Sequence, residues 1–141
     1  MSRPLILIVE DDNATAEFLS DLLWSEGYDT QILPTARIVD AALSLRPDLI
    51  LLDLVFPDSR GEDLLQAVRR DRNLAATPVI LLSAVPHLAA AAAHLPVQGY
   101  LSKPFELDLL LRMVSSLLAG RPLAEPAAGI RWPSAGLVPN L

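Results

Sequence analysis

Short runs of aliphatic residues alternate with more polar segments along the chain, and each run stops at a polar residue. The clearest run is Leu49–Leu52, which Asp53 follows directly. Four large aliphatic residues in succession are typical of a strand that is covered on both faces, as in the parallel sheet of an α/β protein. Comparable runs predict further strands at residues 5–9, 79–82 and 97–101.

The segments between these runs have the spacing of amphipathic helices. A partly alternating segment at residues 28–33 predicts another strand, nearer an edge of the sheet. Asp12 is expected to cap the first helix. The inward face of that helix is predicted to consist of Phe18, Leu19, Leu22 and Leu23. The predicted helices cover residues 14–26, 34–45, 62–70, 87–94 and 105–118. Strand–helix units in regular alternation predict an α/β fold, a five-stranded doubly wound parallel sheet with helices on both faces.

The length of 141 residues suits one domain with a short appended segment. We expect the domain to cover residues 1–118. Residues 119–141 are expected to be a Pro-rich tail with no second domain, because residues 120–141 contain four prolines and no helical period.

Composition narrows the possible functions. The chain has no cysteine, which excludes disulfides, thiolate nucleophiles and thiolate metal sites. Its net charge of −6 argues against nucleic acid as a direct partner. No stretch approaches the roughly 20 apolar residues of a membrane-spanning helix, and no signal peptide is recognised. We therefore expect a cytoplasmic protein without a membrane partner.

The acids that follow the first and third strands are the strongest functional signal. The carboxyl ends of parallel strands meet at one edge of the sheet, where open α/β proteins bind ligands. We expect Glu10, Asp11 and Asp53 to lie close together at this edge. Such carboxylates repel unless one is protonated or a divalent cation lies between them, and an all-oxygen site suits Mg²⁺. The alternative is an acidic cluster that caps a helix and binds cations adventitiously.

Two further strand ends supply a hydroxyl and an amine. Ser83 follows the fourth strand, and Lys103, the only lysine in the chain, follows the fifth. Lysine carries a compact ammonium group, whereas arginine carries a planar guanidinium. A carboxylate beside Mg²⁺, an ammonium and a hydroxyl can attack phosphorus and stabilise the transferred oxygens. The sequence therefore predicts an aspartyl phosphate on Asp53.

Four segments together resemble the response-regulator receiver domains of two-component signalling, the CheY-like branch of the flavodoxin-like folds. They are LILIVEDD (5–12), LILLDLVFP (49–57), LLSA (81–84) and GYLSKPF (99–105), and the likeness extends over residues 4–118. The resemblance implies a stand-alone regulator rather than an enzyme. It would receive a phosphoryl group from a histidine kinase or phosphotransfer protein. It would then signal to a protein target of unknown identity through the face between its fourth and fifth helices.

The resemblance also implies roles for residues around the acids. Asp53 would be the phosphoacceptor, and Glu10 with Asp11 would be the acidic pair that binds Mg²⁺. Asp11 would be a direct ligand of the metal together with Asp53, and Val55 would contribute its backbone carbonyl.

The same resemblance also implies roles for the hydroxyl of Ser83 and the amine of Lys103. Ser83 would hydrogen-bond the new phosphoryl group, and Lys103 would pair with it. The bond between Lys103 and Pro104 would be cis. Tyr100 would be an aromatic switch that follows Ser83, or else simply a half-buried tyrosine at the end of a strand.

Some features depart from the family pattern or favour other functions. Arg60-Gly61 stands where the family often has Asp-Gly, and the fourth helix is unusually rich in alanine. His87 and His94, which flank that helix, are interpreted as solvent-facing rather than as metal ligands.

A phosphatase of the haloacid-dehalogenase type would need a second aspartate where Val55 stands. A receiver-shaped module that is never phosphorylated is the other alternative, and the intact acids, hydroxyl and amine argue against it. Nucleotide binding is weaker still, because no glycine-rich loop follows the first strand.

Overall fold

The computed structural model describes residues 3–36 and 39–120. Within this part of the chain, five parallel strands form one sheet in the order β2-β1-β3-β4-β5. The strands are β1 (Leu5–Val9), β2 (Asp29–Leu33), β3 (Leu49–Leu52), β4 (Val79–Ser83) and β5 (Gly99–Ser102). The helices are α1 (Asn13–Ser25), α2 (Val39–Leu45), α3 (Gly61–Arg70), α4 (Leu88–Ala92) and α5 (Leu107–Leu118). The predicted doubly wound parallel sheet is confirmed, with β2 at one edge.

Both faces of the sheet are covered, which explains why β3 is a continuous apolar run. Ile50 and Leu52 pack into the core on the side of α3, whereas Leu49 and Leu51 pack into the core on the side of α1 and α5. All four residues are buried, and none is more than 1% exposed. Burying one such side chain stabilises the fold by about 1.5–3 kcal/mol, so this strand anchors both cores.

The first helix is rotated relative to the prediction. Phe18 is 52% exposed, and the buried residues of α1 are Ala16, Leu19 and Leu23. A step of one residue turns the side chain by about 100° around a helix, so Phe18 cannot share the buried stripe through Leu19 and Leu23. The predicted cap is correct, because the Asp12 carboxylate accepts a hydrogen bond from the backbone N–H of Thr15 at 2.9 Å.

Several predicted boundaries were wrong. Pro34 and Thr35, where the second helix is predicted to start, are not helical, and Ile38, an apolar residue of the predicted helix, lies outside the described residues. Both α4 and α5 are shorter than predicted. The predicted tail also lies outside the described residues apart from its first two positions.

The sequence predicts a small basic edge on one helix, formed by Arg69, Arg70 and Arg72. In the structure, Arg69 does not belong to it. Its guanidinium turns inward and donates to the carbonyls of Pro96 (2.9 Å) and Thr77 (2.7 Å) and to the side chain of Gln98 (3.0 Å). The same Gln98 oxygen accepts from the N–H of Val79 at 2.7 Å. Arg69 thereby joins α3 to the segments that lead into β4 and β5.

Candidate functional site

The acids meet because β1 and β3 are neighbours at the point where the strand order reverses. Val9 pairs with Leu52, and the N–H of Asp53 donates to the carbonyl of Val9 at 3.1 Å. The residues that follow the two strands, Glu10 and Asp53, are therefore side by side. Together with Asp11 they offer three carboxylate oxygens that lie within 4.8 Å of one another.

Lys103 reaches the same place from the end of β5. Its backbone N–H donates to the carbonyl of Ser83 at 2.9 Å, which fixes the chain as it leaves the sheet. Its Nζ donates to Oδ2 of Asp53 at 3.1 Å and to Oε1 of Glu10. The Lys103–Pro104 bond is cis, the isomer that the family resemblance implies. One ammonium thus bridges the buried Glu10 and the half-buried Asp53.

The Asp53 carboxylate is also held by the loop that follows it. Its Oδ1 accepts hydrogen bonds from the backbone N–H groups of Leu54 (2.7 Å) and Val55 (3.3 Å). Val55 pairs with Arg60 across the loop, and the residue is 59% exposed. One oxygen of Asp53 therefore faces backbone donors while the other faces the ammonium of Lys103.

The pKa values of the two acids are shifted in opposite directions. Burial raises the pKa of Glu10, the nearby Asp53 adds to this, and Lys103 acts against it without cancelling it. Burial also acts to raise the pKa of Asp53, but its interactions with the Glu10 carboxyl and the Lys103 ammonium together lower it. The pKa of Lys103 is raised: burial opposes this, but Glu10 and Asp53 outweigh it. The raised pKa of Glu10 and the lowered pKa of Asp53 mean that the site favours the ionised carboxylate more at Asp53 than at Glu10.

The residues present fit a divalent cation. Glu10 is only 5% exposed, and its Oε2 has no hydrogen-bond partner among the described residues. A buried carboxylate oxygen without a donor is costly, and a bound cation would satisfy it. The donor set consists of carboxylate oxygens only, which is the chemistry that Mg²⁺ prefers.

Ser83 and Tyr100 lie on the two neighbouring strands. Ser83 is 1% exposed at the end of β4, and its Oγ accepts from the N–H of Val85 at 3.3 Å. Tyr100, in β5, pairs with Leu81 of β4. It is buried rather than half-buried, at 4% exposure. Ser83 therefore lies inside the fold beside the backbone of Lys103, and Tyr100 lies inside the fold three residues before that lysine.

Gly61 is a part of the site that the sequence does not indicate. In the structure it is the first residue of α3, it is buried, and its N–H donates to the carbonyl of Leu54 at 2.9 Å. A glycine that begins a helix, eight residues after a candidate reactive acid, was the available signal. It does not by itself reveal that the helix comes back to touch that acid.

Comparisons with known proteins identify the family of this chain. The model of the response regulator receiver domain matches residues 6–115. RpaA of Synechocystis sp., a DNA-binding dual master transcriptional regulator, is 36% identical over 123 residues, which cover 82% of this chain and 49% of RpaA. The DNA-binding response regulator MtrA of Mycolicibacterium smegmatis is 34% identical over 128 residues, which cover 89% of this chain and 54% of MtrA. This chain thus matches about half the length of these curated relatives.

A solved structure agrees with the sequence relatives. The signal receiver domain of a signal transduction histidine kinase from Syntrophus aciditrophicus is 32% identical, with a TM-score of 0.76. The match covers 89% of this chain and 97% of that domain. With a family model that matches residues 6–115 and a solved receiver domain of the same fold that is 32% identical, the chain belongs to the response regulator receiver domains of two-component systems.

Proposed function

We propose that this receiver accepts a phosphoryl group on Asp53 from a histidine kinase or phosphotransfer protein. The observation that carries the proposal is the environment of Asp53. Its carboxylate has a lowered pKa, lies within 4.8 Å of Glu10 and Asp11, and has the Lys103 ammonium 3.1 Å from Oδ2. An ionised carboxylate among cationic partners is equipped to attack a phosphoryl group.

Mg²⁺ is the metal that fits this site. Glu10, Asp11 and Asp53, with the backbone carbonyl of Val55, would hold it. When bound, the ion neutralises charge on the phosphoryl oxygens. The unpartnered Oε2 of Glu10 supports this assignment, because the fold buries it without another donor among the described residues.

In the transfer itself, an oxygen of Asp53 forms a new bond to phosphorus. The bond from phosphorus to the donor's imidazole nitrogen breaks, and its electron pair leaves with that nitrogen. Lys103 then pairs with the transferred oxygens, and the Ser83 hydroxyl donates a hydrogen bond to one of them. No proton needs to leave Asp53, because it already reacts as a carboxylate.

We further propose that the output is a protein–protein contact. The phosphoryl group brings about −1.5 to −2 charges to the edge of the sheet, and a changed position of Ser83 would be followed by Tyr100 in β5. The responding face would comprise α4, β5 and α5. The net charge of −6 makes direct nucleic-acid binding by this domain unfavourable, although RpaA and MtrA are named as DNA-binding proteins. The receiver would signal without enzymatic activity on another substrate.

Labelling by a small donor tests the proposal. Acetyl phosphate with Mg²⁺ should add the mass of one phosphoryl group, and EDTA should prevent it. Asp53→Asn should not be labelled, because an amide oxygen is a poor nucleophile. Asp12→Asn is the matched control, since this exposed neighbour only caps α1. Normal labelling of Asp53→Asn, or labelling in EDTA, would reject the proposed site.

A further inference from the structure

The first residue of α3 lies directly against the backbone of Asp53. A Cβ on Gly61 would lie 2.9 Å from Cα of Leu54 and 3.1 Å from the carbonyl carbon of Asp53, and closer still to the carbonyl oxygen of Asp53. Real side chains essentially never approach backbone atoms so closely, and backbone cannot swing aside as the end of a flexible side chain can. Gly61 has an ordinary negative φ, unlike Gly27 at +100°. Space, rather than backbone conformation, therefore requires glycine at this position.

The peptide that Gly61 touches also holds the carboxylate. The Asp53–Leu54 peptide carries the N–H that donates to Oδ1 of Asp53 at 2.7 Å. The carbonyl of Leu54 accepts from the N–H of Gly61 at 2.9 Å, and the adjacent Val55 pairs with Arg60. The loop after β3 is thus closed on itself, and any atom added at Gly61 pushes on the donor that orients Asp53.

We propose that Gly61 is a positioning residue for Asp53. Its missing side chain lets α3 begin in contact with the Asp53–Leu54 peptide, which sets the direction of the carboxylate toward Lys103 and the acidic pair. The role rests on the proposed phosphorylation of Asp53. A side chain at position 61 would shift the peptide and turn the carboxylate away, and a misplacement of about 1 Å can cost about 100-fold in rate.

The experiment compares Gly61→Ala with Gly27→Ala. The control places a methyl group on a glycine whose φ of +100° disfavours it but which has no atom within 4 Å of the added Cβ. It should lower the melting temperature without touching the site. Both variants and the wild type are incubated with acetyl phosphate and Mg²⁺. The labelling rate is divided by the folded fraction from circular dichroism and followed against acetyl phosphate concentration. Mg²⁺ affinity is measured separately by calorimetry.

We expect the rate per folded molecule of Gly61→Ala to fall by about 10- to 100-fold at saturating acetyl phosphate. We also expect its Mg²⁺ affinity to weaken, because one ligand has moved. Gly27→Ala should keep the wild-type rate and affinity per folded molecule. If Gly61→Ala is poorly folded, the measurements are made with trimethylamine N-oxide, which favours the compact state.

A folded Gly61→Ala variant with the wild-type rate and Mg²⁺ affinity would overturn the proposal. So would a variant that stays unfolded in the osmolyte, because the role of Gly61 would then be in folding as a whole. Absence of labelling in the wild type would instead count against the proposed function, which keeps the two failures distinct.

Discussion

The Nζ of Lys103 lies 3.1 Å from Oδ2 of Asp53 and also donates to Glu10, so that one ammonium joins the ends of three strands. The chain has no other lysine. Because Lys103 itself is only 23% exposed, its charge is poorly screened by water where it meets the two acids.

Lys103→Arg should disable the site although the charge is kept. The planar guanidinium of arginine is bulkier than an ammonium, and we expect it not to fit a pocket shaped for one ammonium. We expect the response to beryllofluoride with Mg²⁺, seen as amide chemical-shift changes, to be lost. Arg112→Lys, on the exposed side of α5, is the control and should respond as wild type does. A full response from Lys103→Arg would show that the compact shape of lysine is not required.

Binding of Mg²⁺ should depend on pH through Glu10. Its pKa is raised by burial, so a proton competes with the metal for this carboxylate. The affinity should be full above the raised pKa and should fall as the pH drops through it. Calorimetry at a series of pH values from about 5 to about 8 checks this. Glu10→Gln should bind weakly and should lose this part of the pH dependence, while Asp12→Asn should keep it. A Glu10→Gln profile parallel to that of wild type would assign the competing proton to another group.

The phosphoryl group should be long-lived. Hydrolysis needs a water held in line behind phosphorus, and polar side chains near the site can hold or activate it. Val55 and Val85 stand two residues after Asp53 and Ser83, and neither side chain can donate or accept a hydrogen bond. The combined Val55→Asn and Val85→Glu variant should therefore lose its label faster. If it decays at the wild-type rate, access of water is controlled elsewhere.

Arg69 should be important for stability although it lies outside the site. Its guanidinium satisfies several acceptors between α3, β4 and β5, and burial lowers its pKa only to about 10, so that it stays charged at neutral pH. Arg69→Lys cannot reach them all and should lower the free energy of unfolding by about 2–4 kcal/mol, as for a broken buried network. Arg70→Lys is the matched control, because Arg70 is exposed and bonds to Gln66 on its own helix. Equal urea midpoints for the two variants would contradict this role.

The residue before α4 is strained. His87 has a φ of +61° and makes no side-chain cap for the five-residue helix that follows. Glycine adopts this conformation without the penalty of a Cβ, so His87→Gly should raise the free energy of unfolding by about 0.5–1 kcal/mol. His94→Gly, at the other end of α4 and without a left-handed backbone, should lower the free energy of unfolding or leave it unchanged. A loss of stability in His87→Gly would show that the histidine side chain stabilises the loop.

The sheet and the meeting of the acids were predictable from sequence because they depend on local signals. An aliphatic run such as Leu49–Leu52 can be buried on both sides only inside a covered sheet, and parallel strands bring their carboxyl ends to one edge. The proximity of Asp53 to Glu10 therefore follows from the positions of these acids directly after two such strands.

Features that depend on packing direction were not predictable in this way. Phe18 and Leu19 are both apolar, and only the position of α1 on the sheet decides which of them is buried. The inward orientation of Arg69 needs acceptors from two separate segments, one that leads into β4 and one that leads into β5. The contact of Gly61 with Asp53 likewise depends on where α3 begins in space, which a turn-forming sequence leaves open.

Reductive trapping of the phosphorylated aspartate is the most direct measurement of whether Asp53 is the acceptor. Borohydride converts an acyl phosphate to an alcohol and leaves free carboxylates untouched, so peptide mass spectrometry locates the labelled residue as homoserine. After treatment with acetyl phosphate and Mg²⁺, we predict homoserine at position 53 in the wild type and none when EDTA is present. Homoserine at Asp11, at Asp58 or at another aspartate, in protein that has gained one phosphoryl group, would contradict the assignment of Asp53 as the phosphoacceptor.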